Sequence, residues 1–490
     1  MSSTSRASKP RYTPTPPEEL LARTKQRSAA HRQRRLAGGG GGFAVVAALV
    51  LIGVLLPSNG ARSQQASDKP GKVVVSARIG VAYELTTNEP TAPNAAHQVA
   101  VAVDNDEVGF SLDLLNKLAT SSKASGSGNV LVSPSSLATA LAMLELGAKG
   151  ATQAGIAAAL HTSGLSAAQQ AEGWHTLAAL LAAETSTSGA HLKHEPELDI
   201  ANALFLQEHL PVLPAYVQAL SKDFQTGLWQ VDFEKDLVGA TRAINLWTSE
   251  NTKGLIKQLF SPGALDATTV LVLADAVYFH AKWSSPFGNM TLERPFYPTE
   301  GAPVRVAFMS SPSAETRSAF HIPVALTSRY VAVELPYAGD KLSALVLMPT
   351  GTTLPGFVAS LTPSLLAQIV GGMFPQSVQL SMPTFTEQSD YDLIQTLSSM
   401  GMAQAFGPGA DLTAIAPRPP LYVHAVEQHA YLQVTPKGTT AAAATGVGVA
   451  MSATEATEHP IVIDHPFLFL VRDDATGAIL FESMVENPAS

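Results

Sequence analysis

An α+β chain built around a large sheet is predicted, and three features of the sequence predict it. Residues 269–287, TVLVLADAVYFHAKWSSPF, open with a near-continuous apolar run, the pattern of a strand covered on both faces. Strand patterns recur at DIANALFLQEHLPVL (199–213), YVAVELPYAG (330–339) and LSALVLMP (342–349). Helical periodicity interrupts them, first where Phe110, Leu114, Leu115 and Leu118 share one face of VGFSLDLLNKLA.

The chain begins with a segment of different character. Residues 1–36 hold nine of the 31 Lys and Arg and two of the 40 acids, with no apolar periodicity, so a basic disordered segment is expected there. The remaining chain carries 22 basic against 38 acidic residues, which excludes a nucleic-acid binder on charge grounds. Segment 37–57 contains a run of 19 uncharged residues, 38–56, just long enough to cross a bilayer. Arg23, Lys25, Arg27, Arg32, Arg34 and Arg35 precede it and would stay in the cytoplasm, leaving the body outside the cell membrane as a single-pass protein. A cleaved signal segment, with Ser58 and Gly60 as a weak cleavage site, is the other reading and would give a secreted protein. Residues 58–98 are expected to be an extracytoplasmic linker with one strand-like patch, VVVSARIGVAYEL, and the body spans 99–490. Zero cysteines exclude disulfides and thiol chemistry.

Within the body, NVLVSPSSLATALAMLELGAKGATQ places Ser133 and Ser136 about a helix start, with Pro134 in the first turn. Further on, HLKHE at 191–195 fits no established zinc spacing, so no metal is expected. Residues 164–196 contain one lysine, Lys193, and no cationic stripe, so no glycosaminoglycan site is expected. INLWTSENTKGLIKQLF (244–260) then leads into the apolar strand that ends near Trp283.

Residues 438–450, GTTAAAATGVGVA, alternate between two faces. Thr439, Ala441, Ala443, Thr445, Val447 and Val449 fall on one, while the other is nearly free of side chains. Such a segment is a poor strand by propensity and easy to leave as a loop, and taken alone it reads equally as a flexible linker.

With its flanks, LYVHAVEQHAYLQVTPK before it and IVIDHPFLFLVRDDATGAILFESMVENP after it, this stretch resembles the hinge, reactive loop and C-terminal strands of the serpins. The likeness covers 99–490 and is to the bacterial type, here with an N-terminal membrane anchor. Asn129, Ser133, Pro134, Ser136, Leu141, Gly147 and Thr152 match one family motif, and Asn245, Trp247 and Thr252 match another. The resemblance implies a large central sheet able to accept the reactive loop as an extra strand, surrounded by helices and smaller sheets. It implies a hinge at Gly438, Thr439, Ala441, Ala442, Ala443, Ala444 and Thr445, and a breach at Trp283 where insertion begins. It also places a shutter at Ser133, Ser136, Asp275 and Gln428, where Asp275 replaces a usual asparagine and Gln428 a frequent histidine. A glutamine amide can donate to an aspartate carboxylate, so the two departures can compensate each other.

The activity so implied is suicide inhibition. A serine protease attacks the loop, forms a covalent acyl-enzyme, and is trapped as the cut loop inserts. Counting from the hinge puts the reactive bond at Ser452–Ala453, with Met451–Ser452 the alternative and a later site near Glu455 if counted from His465. Small and apolar residues there point to an elastase-like or subtilisin-like target. A monomer without cofactor is expected. No G-x-S-x-G, phosphate-cradling glycine loop or H-E-x-x-H is present, so no enzyme is predicted. The competing function is a non-inhibitory serpin acting as an extracytoplasmic ligand-binding or interaction module. Intact hinge residues speak against it, and Pro436 in place of a usual glutamate speaks for it.

Overall fold

The computed structural model describes residues 73–87, 97–121, 128–166, parts of 169–177, 197–224, 226–288, 291–311, 320–439 and 459–489. Two sheets organise these residues. The first has eight strands in the order β1 (Val73–Ile79), β2 (Ala82–Thr87), β5 (Leu228–Val231), β4 (Glu197–Gln207), β6 (Leu271–Lys282), β15 (Gly438–Thr439), β14 (Ala425–Thr435) and β13 (Phe385–Asp392). The second runs β3 (Val130–Val132), β18 (Ile479–Val485), β17 (Phe467–Asp473), β11 (Leu342–Pro349), β10 (Tyr330–Pro336), β9 (Phe320–Leu326), β12 (Phe374–Pro383), β8 (Val304–Ser310) and β7 (Thr291–Phe296), with β16 (His459–Val462) pairing β12. Eight α-helices are described: α1 (His97–Ser121), α2 (Pro134–Leu146), α3 (Gly150–Ala159), α4 (Pro214–Asp223), α5 (Leu237–Asn251), α6 (Leu354–Ser360), α7 (Pro363–Gly371) and α8 (Ile394–Leu397).

β6 has both faces covered, and its alternation sorts the packing. Leu271, Leu273, Val277, Phe279 and Ala281 face the main core, whereas Val272, Ala274 and Ala276 face α5. The small alanines let α5 lie close, and Ala240, Ala243, Ile244 and Trp247 fill that contact. Asp236 caps the helix by accepting from Gly239 N at 2.9 Å. From the middle of the helix Asn245 Oδ1 accepts from Leu259 N and Phe260 N, each at 2.8 Å, which ties the exit loop back.

α2 is apolar on nearly every side and buried accordingly. Ser133 occupies its N-cap position but does not cap it with its side chain. Its hydroxyl donates instead to Leu480 O at 2.6 Å, because the burial of the segment puts β18 within closer reach than the helix's own amides. Asn129 joins three segments. It donates to Glu387 Oε1 at 2.6 Å and Asn487 O at 2.8 Å, and accepts from Glu486 N and Asn487 N.

The stretch expected to lie in a linker over 58–98 is in part a structural element of the body. β1 and β2 form an antiparallel hairpin, and residues 83–85 of β2 pair with residues 228–230 of β5. Alternating residues on VVVSARIGVAYEL suit a half-buried strand, and Ala82 reaches the α5 side of the core. Glu84 accepts from Gly227 N at 2.9 Å, so the hairpin also holds the approach to β5. It thereby covers what would have been an open edge on a strand of four residues. Among the described residues no single helix is long and apolar enough to cross a membrane, and the expected span at 38–56 lies outside them.

Candidate functional site: a gap between two strands and what closes it

β6 and β14 run parallel and pair directly along only part of their length, residues 272–277 against 425–430. Above Val277 and Ala430 they part by one strand width. At the top of the gap sits β15, antiparallel to both, with Gly438 opposite Lys282 and Thr435, and Thr439 opposite Ala281 and Val434. The residues between, 278–280 on β6 and 431–433 on β14, face each other without a β6–β14 ladder.

Aromatic rings hold the top of this gap. Trp283 Nε1 donates to Thr435 O at 2.9 Å and its backbone N to Lys437 O at 3.2 Å, fastening the end of β6 to the turn between β14 and β15. The indole stacks on Tyr337 at 4.6 Å and 11°. Tyr337 Oη lies 2.6 Å from Thr439 Oγ1, and both side chains are fully buried. Burial drives the Tyr337 phenol far above its ordinary pKa, so it stays a neutral hydrogen-bonding group. Gly438 is needed for close approach: a Cβ there would sit 2.1 Å from Ala281 O. Pro436 lies in the turn, outside the ladder, and its carbonyl accepts from Phe287 N at 2.9 Å. Its missing N–H therefore removes no strand pair.

The lower end is closed by a buried polar cluster. Gln428 and Asp275 stand opposite each other in the β6–β14 register, and Gln428 Nε2 donates to Asp275 Oδ2 at 2.5 Å. Ser136 Oγ donates to Asp275 Oδ1 at 2.5 Å. Gln428 also brackets Ser133, donating from Nε2 to Ser133 O at 2.8 Å and accepting from Ser133 N at 2.9 Å. Asn202 on β4 joins through Ser136, its Nδ2 donating to Ser136 O at 3.1 Å. The two departures from the family pattern thus meet in one hydrogen bond across the strand pair. Burial pushes the Asp275 carboxyl up to about 7, while the donors Ser136 and Gln428 pull it down.

The structure brings Ser133, Ser136, Asp275 and Gln428 together, and places Trp283 with Gly438 and Thr439 at the opposite end of the same gap. Ala441, Ala442, Ala443, Ala444, Thr445, Met451, Ser452 and Ala453 lie outside the described residues, as does HLKHE at 191–195. Two participants escaped the sequence reading. Asn202 had a signal, as a polar residue at an inward position of an otherwise apolar strand; Tyr337 had none, since its role rests on contact with Thr439, 102 positions away.

The family pattern described as Serpin (serine protease inhibitor) matches residues 105–488. The leukocyte elastase inhibitor of Sus scrofa is 32% identical over 392 residues, covering 77% of this chain and 97% of that protein. The plasminogen activator inhibitor 1 of Sus scrofa is 31% identical over 421 residues, 85% of this chain and 99% of the relative. The native-state crystal structure of the thermophilic serpin tengpin superimposes with a TM-score of 0.69 at 21% identity, over 82% of this chain and 97% of its own. The chain belongs to the serpin family, whose members are protease inhibitors and not enzymes.

Asp275 gives a pH signature. Its native pKa lies above the unfolded value of 3.8, so between about 4 and about 7 the native state keeps a proton the unfolded chain has released. Its contribution is therefore lost as pH rises through that window. Asp275→Asn removes this dependence, and the stability of the variant relative to wild type should grow from pH 4 to pH 8 by on the order of 3 kcal/mol. Urea midpoints at the two pH values measure it, and an unchanged difference would show that Asp275 is ionised throughout.

Proposed function

We propose that this serpin is a suicide inhibitor of elastase-like or subtilisin-like serine proteases, and the observation that carries this reading is the two-residue strand β15. Gly438 and Thr439 already sit between β6 and β14, so insertion needs only to continue. Extended in register, each further loop residue descends one position on both neighbours. Thr445 then falls opposite Asp275 on one side and Gln428 on the other, the same two residues that now pair directly. Its hydroxyl can accept from the glutamine and donate to the carboxylate, so the cluster that closes the gap has a replacement partner waiting. Val447 and Val449 fall opposite Leu273 and Leu271, on the core side with Thr439. One direct ladder is exchanged for two, and roughly 1 kcal/mol net per added hydrogen bond makes full insertion effectively irreversible.

The register reaches the end of β6 near Val449, which leaves Ser452–Ala453 just beyond the inserted strand, where a tethered protease would be held. No Lys or Arg occurs from Gly438 through Val471, so a trypsin-like pocket finds no cation. Small apolar residues before the bond suit the protease class named for the leukocyte elastase inhibitor among the relatives. The protein acts as a monomer, anchored at the cell membrane through 38–56 with its body outside. A mature N-terminus near Ala61 in a soluble exported form would refute the anchor and leave a secreted inhibitor.

Thr439→Arg drives a charge into a buried position and should convert the protein from inhibitor to substrate, cleaved without a complex that survives a denaturing gel. Wild-type trapping stoichiometry in this variant would refute insertion. Reaction of wild type with elastase, subtilisin and trypsin should release a C-terminal peptide that begins at Ala453, or at Ser452 for the alternative bond, with the first two enzymes. Efficient trapping of trypsin through this loop would overturn the specificity, and cleavage by all three with no complex would favour the non-inhibitory reading.

A further inference from the structure

β13 and β14 bring four ionisable side chains together on the face away from the main core. Their register sets Asp390 directly opposite His429 and Asp392 opposite Glu427. Because alternate residues share a face, all four project on one side, while Gln428 and Ala430 project to the other. His429 is only 6% exposed. Its Nε2 lies 2.6 Å from Asp390 Oδ1, yet this atom is buried with no hydrogen bond of acceptable geometry. In the tautomer that leaves Nε2 unprotonated, two lone-pair atoms this close repel unless something positive lies between them.

The surroundings leave the charge uncompensated. Among the described residues no lysine or arginine pairs with Asp390, Asp392 or Glu427. One ligand atom from each of Asp390, Glu427 and His429 lies within 4.8 Å of the others. An ion about 2.1 Å from each would need ligand atoms about 3.0–3.5 Å apart, which small side-chain rotations supply.

We propose that Asp390, Glu427 and His429 form a binding site for a divalent transition-metal ion, with Asp392 as an adjacent fourth carboxylate. One imidazole nitrogen and two carboxylate oxygens suit zinc, with water completing the tetrahedron; magnesium and calcium prefer all-oxygen sets. The ion would clamp β13 to β14, the bank of the gap remote from β6. The site owes nothing to a sequence motif, because 36 residues separate Asp390 from Glu427 and only strand pairing joins them. It stands whether or not the chain traps a protease.

The test uses metal-stripped full-length protein titrated with zinc, with binding followed by calorimetry and equilibrium dialysis. Wild type should take up one ion per chain and melt at a higher temperature when loaded. His429→Gln should weaken binding at least tenfold. Asp390→Asn, at an exposed position, should do the same with an unchanged circular dichroism spectrum. Cobalt in place of zinc should give visible absorption that disappears in the His429 variant. No saturable uptake, or uptake that Asp390→Asn and His429→Gln leave unchanged, would overturn the proposal and reduce the cluster to an ion pair beside an acid.

Discussion

The pairing of β6 with β14 is the constraint on which the rest of the structure depends. Both strands carry a full set of backbone donors and acceptors, but they satisfy each other only over residues 272–277 and 425–430. Above that point both strands pair with β15 instead, Ala281 and Val434 with Thr439, and Lys282 and Thr435 with Gly438. Three independent registers, β6 with β14, β6 with β15 and β14 with β15, agree on where each residue of a strand continuing β15 would lie. Their agreement makes the gap a preformed slot.

What keeps the slot closed is polar at one end and aromatic at the other. At the bottom, breaking the Gln428–Asp275 hydrogen bond exposes two fully buried groups unless a new partner arrives at the same moment. At the top, Tyr337 is pinned between Trp283 and Thr439, which holds Thr439 in place. Burying Asp275, Glu387 and Glu482 raises each of their pKa values. Each contributes less to native stability as pH rises toward neutrality, so the fold is held at some electrostatic cost.

The rest of the body braces this sheet. α5 covers the face of β6 that Ala274 and Ala276 leave shallow, and the β1–β2 hairpin adds two strands beyond β5. The hairpin moves the sheet's free edge away from the strands around the gap, toward a strand carrying Arg78 and other exposed polar groups. On the opposite side β13 forms the other edge, where the acidic face with His429 lies.

Much of this was legible in the sequence, for reasons that differ by residue. The covered strand at β6, the helix after Ser133 and the small-residue stretch from Gly438 are local patterns, set by periodicity and side-chain size. Motif likeness marked Ser133, Ser136, Asp275 and Gln428 as one group and Trp283 as a separate point where insertion would begin. By itself the sequence thus determined an α+β serpin body and singled out the small-residue stretch that starts at Gly438. Only tertiary structure decided that 73–87 is a hairpin of the main sheet, because a short half-apolar strand specifies no partner until β5 offers a free edge. The pairing of Tyr337 with Thr439 and the convergence of Asp390, Glu427 and His429 were likewise decided there. Strand register joins residues far apart in the chain, and no local pattern encodes that register.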